Sequence, residues 1–486
     1  MKTFFFYDLE TSGFSPQNDR IMQFAGQRTD MDLRPIGEPV NILVRLNDDV
    51  LPSPNALLVT GISPQKTVEE GYTEAEFAKM LVEEFFTPET VVVGYNNVRF
   101  DDAHVQHLLW RNFHAPYDWQ WKDGRSRWDL LDVVRMVRAL RPDGINWPFL
   151  KNEETGENFP SNKLELLTKE NGISHENAHD ALADVVGLIE VARLLKAKQP
   201  QIFEYLFKMR SKTEVQKMIN LENPKPFVYT SGRLSAELEK TTVAFPLAPA
   251  KNRNVIVWDA RISPEKFLNW SAEQIFESLT ADFETRSKPD FVAIPAKILQ
   301  YNRCPAVAPV GVLNEENCER LQIDLAEIQK NIDMLRQNPH LAENIRTAFE
   351  KRSSNFGNQN EAKEKSARNP EAQLYEGFVP QADERKIEVI RNAGLRELAD
   401  FHPNFVDERL DDLLVHYKAR SFPKALNESE KAQWEEYRAK NLQKMLPKFM
   451  QEMQEIANRP ELNSREEFIL EELRLWLEDI FPDSEV

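Results

Sequence analysis

Phe4-Phe5-Phe6-Tyr7 runs directly into Asp8-Leu9-Glu10. A short apolar run from Thr3 to Tyr7 that stops at acids predicts a buried central strand. Side chains alternate along a strand, so Asp8 and Glu10 share one face. Two carboxylates at the end of a buried strand are costly unless something neutralises them, and a divalent cation does so. A lone D-x-E pair is nevertheless a common pattern, and it gains meaning only from what accompanies it.

The pattern around this strand is mixed. Ile21–Asp30, Val40–Arg45 and Thr90–Tyr95 read as further strands, and Thr73–Phe86, Asp101–Asn112, Trp128–Leu140 and Asp180–Lys198 as helices. Strands and helices in this order predict an α/β domain over residues 1–198, a mixed sheet flanked by helices. Residues 199–350 change character. Short β-like pieces at Pro226–Thr230, Thr241–Phe245, Asn254–Asp259 and Phe291–Pro295 suggest a smaller β-containing α+β domain. Residues 351–372 are polar and read as a linker. Residues 373–486 carry helical spacing at Asp383–Asn392, Asp407–Lys418, Ser429–Asn441, Leu446–Asn458 and Ser464–Ile480, which predicts a helical bundle.

Composition bounds the function. With 61 basic and 79 acidic residues the formal charge is −18, which by itself argues against a general polyanion binder. Charge placement matters more than its sum, and a metal site adds local acids to the total. Two cysteines, Cys304 and Cys318, form no C-x-x-C, so a zinc or disulfide framework is not expected and a reducing cytoplasm fits. The four-residue apolar run before Asp8 is too short for a signal peptide, and no stretch is long enough to span a membrane.

Two later pieces complete the pattern. Gly94-Tyr95-Asn96-Asn97-Val98-Arg99-Phe100-Asp101-Asp102 again sets acids just after an apolar strand; alone it reads as a helix cap. His179-Asp180-Ala181-Leu182-Ala183-Asp184 puts two acids one turn apart with a histidine at the helix mouth; alone it reads as a capping Asp and a surface His. A strand-borne D-x-E, an N-x-x-F-D and an H-x-x-x-x-D in that order resemble the DEDDh exonuclease superfamily. GYNNVRFDD, SRWDLLDV, ALRPDGINWP, LTKENGISHENAHDALADV and AQLYEGF are similar, within it, to the bacterial exodeoxyribonuclease I family. The resemblance runs through all three expected domains and is weaker over 230–300 and 350–372.

The resemblance implies a ribonuclease-H-like exonuclease domain, a small β-barrel-containing domain and a C-terminal helical domain. It implies metal carboxylates Asp8, Glu10, Asp101 and Asp184, with His179 as general base; Asp102 and Asp180 are neighbours open to confusion with the ligands. The expected activity is 3′→5′ hydrolysis of single-stranded DNA to 5′-mononucleotides in repair and recombination. Two Mg²⁺ ions serve it, with Mn²⁺ able to substitute, because hard oxygen donors suit these cations. Asp8 is expected to bridge the metals, Glu10 and Asp184 to complete one site, and Asp101 to support the other. His179 takes the proton of the attacking water, since imidazole titrates near neutrality.

Candidate substrate contacts are Thr11 for the 3′-hydroxyl, Phe14, Phe100 and Ile62 against terminal bases, and Arg99, Arg125 and Arg127 for phosphates. For the apolar candidates, core packing is the competing reading. The resemblance also implies that the later domains hold the strand for processive digestion. It further implies that the acidic tail of single-strand DNA-binding protein docks near Arg141, Tyr205, Lys225 and Arg336. His104 and His107 read as ordinary surface or packing residues. Trp110, Trp119, Trp121, Trp128 and Trp147 read as core. The chain reads as a cytoplasmic monomer. Three rivals remain: an exoribonuclease or proofreading-type nuclease with the same five residues, a non-catalytic DNA-repair scaffold, and an acidic protein whose acids are merely surface groups.

Overall fold

The aromatic run is the spine of the first sheet. In the computed structural model, which describes residues 1–153, 156–174, 180–361 and 369–481, strand β1 spans Thr3–Thr11. It pairs antiparallel with β2 (Ile21–Thr29), which pairs antiparallel with β3 (Val40–Leu43). On its other side β1 pairs parallel with β4 (Thr90–Gly94), and β5 (Ser126–Asp129) closes the order β3-β2-β1-β4-β5. Phe5, Tyr7 and Leu9 point to one face, into a core with Phe24, Phe77, Phe85, Phe86 and Leu108. Phe4, Phe6, Asp8 and Glu10 therefore face the other way. The β1–β2 register slips between Glu10 and Thr11, a bulge directly after the second acid.

The chain divides into two compact units that do not follow sequence order. The first comprises Met1–Arg127, Ser174–Ile189 and Arg368–Val486; the second comprises Trp128–Ile173 and Glu190–Ala367.

In the first unit, helices from the end of the chain share cores with the sheet region. Leu442, Phe449, Leu473 and Trp476 pack with Met22, Leu46, Leu57 and Ile62. The same unit contains a buried ionic cluster. Arg20, Arg111 and Arg420 meet Asp49, Glu74 and Glu371, and every one of these side chains is at most 3% exposed. Arg20 Nη2 donates to Glu371 Oε2 at 3.0 Å, and Arg111 Nη2 to Glu74 Oε1 at 2.7 Å. His416 Nδ1 lies 2.8 Å from Glu371 Oε1. Burial alone would raise the Glu371 pKa; the Arg420 and Arg20 charges outweigh it and hold that carboxyl well below its ordinary range.

The second unit is built on a five-stranded antiparallel sheet, ordered Ala296–Leu299, Asn254–Asp259, Thr241–Ala250, Phe227–Thr230, Ala306–Pro309. Its core gathers Val215, Phe227, Val255, Val257 and Val307.

Most expected elements form, with informative differences. The strand expected at Phe291–Pro295 forms instead at Ala296–Leu299, and Ala306–Pro309 adds one that apolar patterning did not mark. The two helices expected across 429–458 are one, Glu428–Ala457, running through Pro447. Burial of Leu442 and Phe449 on either side of that proline carries the helix across it. The polar stretch 351–372, expected as a linker, is helical to Glu361, and Pro370 and Glu371 are buried. The helix expected over Thr73–Phe86 is α-helical from Glu74 to Met80 and widens to a π-turn over Leu81–Phe85. No described helix is long and apolar enough to cross a membrane.

Candidate metal centre

Two elements converge on one acidic cluster. Asp8 and Glu10 come from β1, and Asp184 from the first turn of the helix Ala181–Lys198. Each offers a carboxylate oxygen, and these three oxygens lie within 4.8 Å of one another. All three side chains are half-buried, so the cluster is open on one side. Asp101 stands in the first turn of the helix Asp101–Arg111 and is 5% exposed. It lies outside the three-oxygen group, yet after burial it is the largest influence on Asp8.

The charges oppose each other. Burial raises the Asp8 pKa well above the ordinary carboxylate range, and Asp101, Glu10 and Asp184 raise it further. Burial, then Asp184, Asp101 and Asp180, push Glu10 from 4.5 up to about 8. Hard oxygen donors held together against their own repulsion fit a hard divalent cation, which relieves that repulsion on binding.

A pH dependence follows. An acid whose folded pKa lies above its unfolded value binds more protons folded than unfolded, so its contribution to stability falls as pH rises. For Glu10 that window runs from 4.5 to about 8. The metal-free wild type is expected to lose stability relative to Glu10→Gln across this window, and saturating Mg²⁺ to remove the loss. Paired thermal melts between those limits check this; a pH-independent difference between the two proteins would contradict it.

The other sequence candidates fall into distinct groups. His179 lies outside the described residues. Asp180 is exposed and caps its helix, accepting from the Leu182 and Ala183 N–H groups at 3.0 and 3.2 Å. Asp102 is buried: Tyr7 Oη donates to its Oδ1 at 2.8 Å, Asn97 Nδ2 to the same oxygen at 3.1 Å, and Arg127 ion-pairs with Oδ2. Arg127, expected to meet phosphate, is thus committed to Asp102, and Arg125 to the Phe86 carbonyl and Asp123. Arg99 is exposed on the turn before Asp101. Thr11 is buried, and its hydroxyl donates to the Gly13 carbonyl at 2.8 Å.

Phe14 is 82% exposed and packs edge-on to Phe100, with ring centroids 6.1 Å apart. Ile62, expected against a terminal base, is instead 6% exposed and belongs to the core with Leu57 and Leu473. Trp121, expected in a core, is 67% exposed, whereas His104 and His107 are buried.

In the second unit, Lys225 is exposed, and Arg336 donates to the carbonyl of its neighbour Pro224 while lying over the Phe245 ring. Arg141 spends its guanidinium on the Leu140 and Val312 carbonyls and Asn317, and Tyr205 Oη on Met218 Sδ.

Comparison with known proteins accounts for this arrangement. Residues 5–192 match the family model described as Exonuclease, so the acidic cluster belongs to an exonuclease domain. Residues 210–351 match the Exonuclease I SH3-like domain, and residues 368–480 the Exonuclease I C-terminal domain. Exodeoxyribonuclease I of Haemophilus influenzae is 38% identical over 97% of this chain and 97% of its own. The crystal structure of Escherichia coli Exonuclease I with a dA16 oligonucleotide superposes with a TM-score of 0.90 at 37% identity, covering 99% of this chain and all of that one. A zinc-bound form of the Escherichia coli protein with single-stranded DNA matches equally well, at a TM-score of 0.90, 37% identity, and 99% of each chain. This chain belongs to the exodeoxyribonuclease I family.

Proposed function

We propose that this chain degrades single-stranded DNA from its 3′ end, releasing 5′-mononucleotides with the help of two Mg²⁺ ions, in DNA repair and recombination in the cytoplasm. The observation that carries this reading is the convergence of Asp8, Glu10 and Asp184 oxygens within 4.8 Å, under the field of Asp101. The Escherichia coli relative bound to oligonucleotide supports the substrate class, and its zinc-bound form supports a divalent cation.

Asp8, Glu10, Asp101 and Asp184 would hold the metals, with Mn²⁺ able to replace Mg²⁺. When bound, the pair supplies charge relief at the phosphate and an acidified water. The chain's own groups do the rest. His179 accepts the water's proton. The exposed Phe14 ring, braced by Phe100, offers a stacking face to the terminal base. The Thr11 hydroxyl keeps acceptor capacity for the 3′-hydroxyl while its proton is fixed on Gly13. Arg99 attracts backbone phosphate. Residues 1–198 form the catalytic part, and 199–350 and 373–486 guide the strand. Lys225 and Arg336, close together through Pro224, offer a basic point for the acidic tail of single-strand DNA-binding protein.

The test uses matched single- and double-stranded oligonucleotides labelled at the 3′ or 5′ end, with an RNA counterpart, with and without EDTA. Immediate release of the 3′ label from single-stranded DNA, abolished by EDTA, is the expected result. Equal digestion of RNA would favour the exoribonuclease reading. Cleavage that persists in EDTA, or no cleavage by folded wild type, would overturn the proposal.

A further inference from the structure

Adjacent acids Asp101 and Asp102 open the same helix, yet successive helical positions point about 100° apart. Asp101 acts on Asp8, while Asp102 turns inward and is 1% exposed. Its carboxylate ties together three separate stretches. Tyr7, the residue before Asp8 on β1, donates to it at 2.8 Å. Asn97, from the turn after β4, donates at 3.1 Å, and the Asp102 N–H returns a bond to the Asn97 carbonyl at 2.9 Å. Arg127 on β5 supplies the counter-charge. Among the described residues no side chain caps the start of this helix at Phe100, and the Asp102 N–H is taken up by the Asn97 carbonyl. Asp101 meanwhile sits among acids that repel it. A helix start under that repulsion needs an anchor to keep its carboxylate at the cluster.

We propose that Asp102 is a positioning residue for the metal centre: anchored to Tyr7, Asn97 and Arg127, it holds Asp101 at the Asp8–Glu10–Asp184 cluster and so sets the affinity for divalent cation. This rests on the metal-centre reading above. Groups that orient ligands from behind typically change metal affinity 10–100-fold when replaced.

The experiment titrates Mg²⁺ against the melting temperature of wild type, Asp102→Asn and Tyr7→Phe, each referenced to its own metal-free melt. Asp102→Asn is expected to raise the half-saturating Mg²⁺ concentration about 10-fold. Tyr7→Phe, which loses one hydrogen bond and keeps its ring, is expected to raise it by about 3-fold, the low end of what one hydrogen bond is worth. Excess Mg²⁺ should restore turnover in both while KM for the oligonucleotide stays within about twofold, since neither touches the strand. If Asp102→Asn does not fold, Tyr7→Phe decides alone. Half-saturation unchanged in a folded variant overturns the positioning role. A wild type that shows no Mg²⁺-linked shift overturns the metal-centre reading itself, and this inference with it.

Discussion

Asp8→Asn is expected to lower nuclease turnover by a factor of about 10³ or more while raising the stability of the metal-free protein. The two effects share one cause. Asp8 sits at the meeting point of the acids, so burial and three like charges lift its pKa well above the ordinary range. Metal ions contribute several kcal/mol of transition-state stabilisation, and each ~1.4 kcal/mol is tenfold in rate, which sets the size of the loss. Asparagine removes one of the mutually repelling charges, and each pKa unit of relief is worth about 1.4 kcal/mol. Single-turnover kinetics and metal-free calorimetry measure both sides. A variant that is inactive and also less stable would mean that Asp8 is a structural acid.

Glu371→Ala is expected to destabilise the first unit by about 3–5 kcal/mol, the usual cost of leaving buried charges uncompensated. Glu371 is fully buried against Arg20 and Arg420, and the alanine leaves three buried guanidiniums facing only Asp49 and Glu74, one positive charge in excess. Replacing Glu371 together with Arg20 by apolar residues of similar volume should cost less than the single change, because fewer charges remain stranded. Urea denaturation of the three proteins at neutral pH checks this. The depressed Glu371 pKa adds a sign: its contribution is present above the ordinary carboxylate pKa of 4.5 and is lost as pH falls through that region toward the lower folded value. A single variant within about 1 kcal/mol of wild type, the range of an exposed ion pair, would show the cluster to be energetically idle.

What could be read in advance depended on whether a signal was local. The aromatic run ending at Asp8 and Glu10 announced both the central strand and the open face of the site, because strand alternation acts over neighbouring residues. The Ser464–Ile480 helix was equally legible from its period, and the structure caps it with Asn463. Asp101 was set apart from Asp102 by motif spacing alone; the partners that bury Asp102, Tyr7 and Arg127, lie 95 and 25 residues away. The burial of Ile62 was not legible locally because its partners, such as Leu473, come from the end of the chain. Glu371, in a stretch that reads as solvated, is buried because arginines from distant segments neutralise it. The two helices expected at Ser429–Asn441 and Leu446–Asn458 are one, because burial of Leu442 and Phe449 carries it through Pro447. His179 was marked by its motif alone.

The ionic cluster has a consequence for biosynthesis. Arg20 and its partner Glu371 are 351 positions apart. At roughly 5–20 residues per second, a ribosome needs on the order of tens of seconds to deliver the second after the first. Throughout that interval Arg20 and Arg111 have Asp49 and Glu74 as counter-ions within the nascent N-terminal portion, but Glu371 and Arg420, which complete the cluster, are still missing. The cluster is therefore completed only late in translation, and a prematurely released polypeptide lacks the Glu371 and Arg420 contacts that close it.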